Sequence, residues 1–178
     1  MKFHKIAKTV VAALFTALIC VATFIVQIPS PATGGYVNLG DCFVLIAGIY
    51  LGYGYGALAA GLGSALADVL AGYSQYAPAT FIIKALMAVF ACLIFKSLSK
   101  KTRIGAKILS SLAAEIIMVG GYFAYEAVIL KYGMAAAGSV VPNIIQGIAG
   151  IVAAFALSTA LDAAIKRSKT LSDFFGKG

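Results

Sequence analysis

The sequence predicts an all-α integral membrane protein with six transmembrane helices and both termini cytoplasmic, on three observations. Hydrophobic residues fill 62% of the 178 positions against 11% charged, with a mean hydropathy of +0.99, a balance outside that of ordinary soluble domains. Apolar runs recur near the ~20 residues a helix needs to cross the hydrocarbon core, which leaves room for roughly six crossings in one membrane-embedded domain over residues 1–178. The basic residues lie in three clusters at the ends of these runs: Lys2, Lys5 and Lys8; Lys96, Lys100, Lys101, Arg103 and Lys107; and Lys166, Arg167, Lys169 and Lys177. Such clusters mark cytoplasmic ends and can touch anionic headgroups. The outer loops carry only Lys131, and Lys84 is left within a helix. The net charge of +8 is therefore read as membrane topology and not as a nucleic-acid surface.

The first helix is predicted from about Lys8 to Ile28, with Pro29 and Pro31 ending it in an uncharged loop to about Val37. Its basic start resembles a signal peptide, but the apolar segment is too long and no small-x-small cleavage site follows. A short second span, Leu39 to Leu51, leads into a Gly52-Tyr53-Gly54-Tyr55-Gly56 turn and a third helix from Ala57 to Ala71. The uncharged loop Gly72 to Pro78 precedes a fourth helix, Ala79 to Phe95. After the basic connection come a fifth helix, Ile104 to Leu130, and a sixth, Pro142 to Ile165. Cys20, Cys42 and Cys92 stand singly in apolar runs and read as small packing residues. Small residues also smooth two helix faces: Ala13 and Ala17 in the first helix, and Gly56, Ala60 and Ser64 with Ala57, Gly61 and Ala65 in the third. Packing within the bundle accounts for the third helix, whereas the first could face a partner subunit.

Polar side chains inside the spans converge toward the outer side. At 1.5 Å per residue, Asp68 lies about 6 Å and Lys84 about 8 Å below the outer ends of their helices, so the two are expected to pair. Asn38 and Asp41 open the second helix on that side, and Asn143 and Gln146 the sixth. Glu115, Tyr122 and Glu126 fall within about 20° of one line on the fifth helix. A charge at bilayer depth costs at least ~2.5–3.5 kcal/mol, so these groups need partners, water or a ligand. The plainer alternative makes Asp68 and Lys84 a structural ion pair, with Asn38, Asp41 and Asn143 as caps. Tyr36, Tyr73 and Tyr76 in the outer loops could cover a flat ring, or form an interfacial aromatic belt.

Several chemistries lack their residues. Gly52-x-Gly54-x-x-Ala57 has no preceding strand to make a dinucleotide site, and no Walker-type Gly-Lys-Ser/Thr is present, so ATP-driven work requires another subunit. The one histidine, His4, is in the basic N-terminal tail, far from any membrane-embedded serine. Asp41 and Asp68 are on different helices, unlike an aspartyl-protease pair on one face. No catalytic residue, metal site or cofactor is predicted.

Val37-Asn38-Leu39-Gly40-Asp41, Gly61-Leu62-Gly63-Ser64-Ala65-Leu66-Ala67-Asp68 and Tyr76-Ala77-Pro78-Ala79-Thr80-Phe81-Ile82-Ile83-Lys84 resemble the S components of energy-coupling factor (ECF) vitamin transporters, riboflavin type. Gly120-Gly121-Tyr122-Phe123 and Val141-Pro142-Asn143-Ile144-Ile145-Gln146-Gly147 extend the resemblance to the sixth helix. It implies a six-helix subunit, not an enzyme, that captures a B-type vitamin or precursor from outside, with outer loops as a lid. It also implies assembly with a membrane coupling subunit and two ATPase subunits in a bacterial plasma membrane. Ala13 and Ala17 are then the partner interface. The expected substrate-binding set is Asn38, Asp41, Asp68, Tyr73, Tyr76, Lys84, Glu115, Tyr122, Asn143 and Gln146. A pyridoxine-type vitamin or hydroxymethylpyrimidine is favoured as cargo and riboflavin comes next, since Trp is absent and the pocket is charged. The alternative class is a membrane-embedded enzyme or a solitary secondary transporter.

Overall fold

A computed structural model describes residues 2–30 and 35–175; residues 31–34 of the expected first outer loop, and Lys177, lie outside them. Helix α1 spans Lys2–Ile25, a run free of Gly and Pro. It ends three residues before the predicted Ile28, because Pro29 disfavours the helical conformation of the residue before it. The chain instead enters strand β1, Ile28–Ser30, which pairs antiparallel with β2, Gly35–Val37, in the register Pro29 to Tyr36. This small hairpin occupies a stretch expected to be irregular.

Helix α2 covers Asp41–Leu70 but is helical on either side of one break, Gly52, at φ 85° and ψ 174°. That conformation is open essentially to glycine alone. A straight 30-residue helix would be about 45 Å long, yet Tyr36, just before α2, hydrogen-bonds Asp68 near its end. The two arms therefore fold back on each other. They pack closely enough that a Cβ on Gly56 would lie 2.5 Å from the Ala47 carbonyl oxygen. The predicted five-residue turn is thus compressed to a single residue, and the arms are the predicted second and third spans.

Helix α3, Ala77–Leu98, starts with Pro78 in its first turn, where a missing N–H is harmless. Helix α4, Arg103–Ala124, is capped by Thr102, whose hydroxyl accepts from the Gly105 N–H at 3.2 Å. It continues through a π-helical turn, Tyr125–Ile129, and a 3₁₀ segment, Gly133–Ser139, reverses the chain into α5, Val140–Arg167. A short α6, Lys169–Phe175, follows and was not expected.

Among the described residues, five helices are long and apolar enough to cross a membrane. α2 packs against α1, α3 and α5, with α4 closing the bundle between α3 and α5. Leu45, Met87 and Met118 lie at its fully buried centre, while Leu58, Leu62 and Leu66, one turn apart, are exposed together with Leu86, Phe90 and Leu93. Apolar stripes of that extent fit a lipid environment. Glycines and alanines set the helix separations: a Cβ on Gly48 would meet the Ala88 backbone at 2.5 Å, and one on Gly63 the Thr16 carbonyl of α1 at 2.6 Å. The small-residue face of the third predicted span is accordingly spent inside the bundle.

At the end of the bundle away from the β-hairpin, Asp162 of α5 gathers Arg103 Nη2 at 2.6 Å, Lys107 Nζ at 2.7 Å and the Tyr50 hydroxyl at 2.7 Å. Lys107, a member of the central basic cluster, is only 5% exposed and pairs with this carboxylate inside the bundle. Phe175 packs edge-on against Tyr50, which docks α6 at the same end.

Candidate functional site

The reversal at Gly52 brings both ends of α2 to the hairpin end of the bundle, where α3, α4 and α5 also contribute polar side chains. They form two tiers. The upper tier is a cavity of about 30 Å³, close to one water molecule's share of liquid volume. Tyr36, Asn38 and Asp68 line it from the hairpin and α2, Tyr76 and Thr80 from the start of α3, and Tyr122, Glu126, Ser139, Asn143 and Gln146 from the α4–α5 side.

Hydrogen bonds close this tier. The Tyr36 hydroxyl donates to Asp68 Oδ1 at 2.6 Å, and the Tyr76 hydroxyl donates to Glu126 Oε1 at 3.1 Å. Ser139 donates to the other Glu126 oxygen, and the Thr80 and Tyr122 hydroxyls share a bond of 3.0 Å. Burial, and then the adjacent Asp68 carboxylate, push the Tyr36 phenol up from its ordinary pKa, so its hydroxyl remains a donor. Tyr73 packs against Tyr36 with ring centroids 4.7 Å apart and the ring planes tilted by 46°, a contact between the hairpin and the 72–78 loop. Tyr36 and Tyr76 thereby form a roof.

The lower tier centres on Asp41, which is fully buried. Lys84 of α3 makes an ion pair with its Oδ1, and Gln146 Nε2 donates to its Oδ2 at 2.5 Å. Gln146 Oε1 accepts from the Asn38 N–H at 2.7 Å, so one side chain ties the hairpin–α2 junction to α5. The Lys84 ammonium lies 5.5 Å from the centroid of the Tyr122 ring, within cation–π range. Glu115 is 4% exposed, and neither of its oxygens has a hydrogen-bond partner among the described residues. Its carboxyl would come within 3.1–3.2 Å of a Cβ at Gly147 or Gly150. It also borders an apolar, membrane-facing groove of about 400 Å³ between α4 and α5.

The expected Asp68–Lys84 pair is replaced by Asp41–Lys84, with Asp68 bound to Tyr36. Depth along each helix allowed both pairings; the folded arms of α2 turn Asp41 toward α3. Asn38, Asp68, Tyr76, Tyr122, Asn143 and Gln146 line the cavity. Asp41, Lys84 and Glu115 lie below it, and Tyr73 braces it from outside. Asn38 accepts from the Gly40 N–H at 2.9 Å, while Asp41 is part of the core and no surface cap. Ala13 and Ala17 are exposed on α1. The candidate set omitted five lining residues, Gly35, Tyr36, Thr80, Glu126 and Ser139; Tyr36 was singled out only as a loop aromatic. Thr80 sits one turn before Lys84, so it shares that face; Glu126 already lay on the polar line of the fifth helix. Nothing local singles out Ser139, which reaches Glu126 only through the 3₁₀ reversal.

A family model described as "ECF-type riboflavin transporter, S component" matches residues 3–163. The chain belongs to the ECF S-component family. This S component is 32% identical to the thiamine precursor transporter HmpT of Lactococcus lactis subsp. cremoris over 175 residues, covering 98% of the chain and 96% of that relative. It is also 35% identical over 134 residues to an uncharacterised protein in the gap 3′ region of Pyrococcus woesei, covering 75% of the chain and 87% of that relative. The S-component family is a transporter family and not an enzyme family. The family implies a small-molecule vitamin-type cargo and an ECF module as partner.

Proposed function

We propose that this chain is the high-affinity capture subunit of an ECF-type importer for a B-type vitamin or precursor. A pyridoxine-type vitamin or hydroxymethylpyrimidine is favoured as cargo and riboflavin comes next. The observation that carries the reading is a polar cavity, roofed by Tyr36 and Tyr76, in a chain matched to the S-component family from residue 3 to residue 163. The name of the Lactococcus relative, a thiamine precursor transporter, supports a small ring over riboflavin.

Small-ligand pockets commonly measure about 300–1,000 Å³, ten times or more the cavity present. Binding therefore requires the hairpin and the 72–78 loop to part, breaking the Tyr36–Asp68 and Tyr76–Glu126 bonds, and to close again over the ligand. Six crossings with both termini cytoplasmic follow if the two α2 arms each count as a span; the basic clusters then all fall on one side. The roofed cavity lies toward the other. The exposed Ala13–Ala17 face of α1 receives the membrane coupling subunit, and two ATPase subunits supply the energy.

Calorimetric titration of the purified protein with a panel of B-type vitamins and precursors, without ATP, tests this. One-to-one tight binding of a single member is expected, and Gln146→Ala weakens it while the protein still inserts. No binding across the panel by folded protein would favour the membrane-enzyme alternative.

A further inference from the structure

A second cavity lies at the end of the bundle away from the hairpin, with a volume of about 290 Å³, near the roughly 300 Å³ at which small-ligand pockets begin. Four elements meet there. Lys8 of α1 and Lys96 near the end of α3 flank the Gly52 turn of α2, which contributes Leu51, Tyr53 and Tyr55, and Phe175 of α6 completes the wall.

The positive charge at this cavity is uncompensated. Among the described residues no aspartate or glutamate lines it. The ion pairs among those residues are made by Lys84, Arg103 and Lys107, which leaves Lys8 and Lys96 without an acidic partner. Asp162, the partly buried carboxylate of this end, is already engaged by Arg103, Lys107 and Tyr50. Two ammonium groups at one cavity repel each other, and an anion between them removes that repulsion. Ammonium groups make charge-assisted hydrogen bonds to phosphate oxygens, and Tyr53 and Tyr55 carry hydroxyls that add neutral donors.

The surroundings say where such an anion comes from. Tyr53 is 63% exposed, and Leu93, one turn before Lys96 on α3, is 52% exposed, so lipid-facing side chains run up to the cavity mouth. Basic pockets between transmembrane helices hold anionic headgroups. A phosphate that arrives from the bilayer brings acyl chains to cover these apolar side chains, whereas a phosphate from solution leaves them bare.

We propose that this cavity is a binding site for the phosphate of an anionic phospholipid, held between Lys8 and Lys96, with the acyl chains passing Leu93 along α3. The bound lipid ties α1 to α3 across the Gly52 turn. The site is at the opposite end of the bundle from the roofed cavity, and the proposal does not depend on which cargo is captured.

Native mass spectrometry of the full chain in neutral detergent, titrated with dioleoyl phosphatidylglycerol or dioleoyl phosphatidylcholine, reads the affinity of the first bound lipid. Phosphatidylglycerol is expected to bind more tightly than phosphatidylcholine. Lys8→Gln and Lys96→Gln should each weaken it about 5-fold, and the double variant about 30-fold, the contribution of one and two basic residues near an anionic headgroup. Lys100→Gln with Lys101→Gln, at exposed basic residues that do not line the cavity, should keep the parental affinity. If the double variant does not fold, the single variants carry the comparison, since neither lysine makes an ion pair that its replacement would break. Inorganic phosphate, titrated calorimetrically into the lipid-free protein, separates the two sources of the anion, and no binding is expected. Binding of inorganic phosphate as tight as that of phosphatidylglycerol, and lost in the Lys8 and Lys96 variants, overturns the lipid as the source. Equal affinity for the two lipids overturns the site altogether. So does an equal loss in the Lys100 and Lys101 variant, which leaves only diffuse attraction to a basic surface.

Discussion

Replacing Lys84 with methionine preserves most of the side-chain volume and removes the ammonium. Lys84 is 1% exposed and its partner Asp41 is 0% exposed, so the variant leaves a buried carboxylate with Gln146 as its remaining donor. Breaking a buried ion pair by removing one partner costs about 3–5 kcal/mol, because the other charge stays desolvated. The lost contact with the Tyr122 ring at 5.5 Å falls within the same figure. For a chain of this length that corresponds to a fall in Tm of roughly 6–20 °C. Adding Asp41→Asn to Lys84→Met removes the stranded charge and keeps an acceptor for Gln146. The double variant should therefore return to within ~1 kcal/mol of the parent, since a buried pair and a neutral replacement of similar shape are often equivalent. The assay is reversible unfolding in detergent for the parent, both single variants and the double. A Lys84→Met variant as stable as the parent, or a double variant no more stable than the singles, would refute the claim that this pair is desolvated and mutually dependent.

Three further outcomes follow from the packing and the site. Gly48→Ala places a Cβ 2.5 Å from the Ala88 carbonyl oxygen, so α2 and α3 must separate; a loss of about 1–3 kcal/mol is expected in the same unfolding assay, and an unchanged midpoint would contradict that contact. Because burial and then Asp68 raise the Tyr36 phenol above its ordinary value, the unfolded chain ionises this group first as pH rises. Its contribution to stability is therefore whole below about pH 10 and lost above it. Tyr36→Phe should flatten the alkaline limb of the stability profile, and an identical limb in parent and variant would count against the buried contact. Ala13→Trp, on the exposed face of α1, should prevent co-purification with the coupling subunit while leaving ligand affinity unchanged; normal uptake by this variant would exclude α1 as the interface.

The spans were legible because lipid imposes a simple rule: backbone polar groups must be satisfied within the segment, so long apolar runs become helices. The helix-five line was legible for the related reason that 3.6 residues per turn fixes directions along one helix. Glu115 and Tyr122 therefore both turn inward as expected. The same regularity says nothing of how one helix is rotated against another. Lys84 could reach Asp41 or Asp68 by depth, and the choice fell to the contacts of Gly48 with Ala88 and Gly56 with Ala47. Ser139 was invisible for a different reason, since its approach to Glu126 depends on the 3₁₀ reversal between α4 and α5.

The sequence by itself determined a membrane-embedded helical protein of the S-component type, with polar groups collected toward one end, because hydropathy, charge clusters and local motifs are properties of contiguous residues. Only the tertiary structure decided that Gly52 alone turns the chain, that Asp41 and not Asp68 holds Lys84, and that Asp68 and Glu126 wall the cavity. Those outcomes depend on side chains from up to four helices meeting at one depth and one azimuth, which close backbone packing fixes and sequence spacing does not.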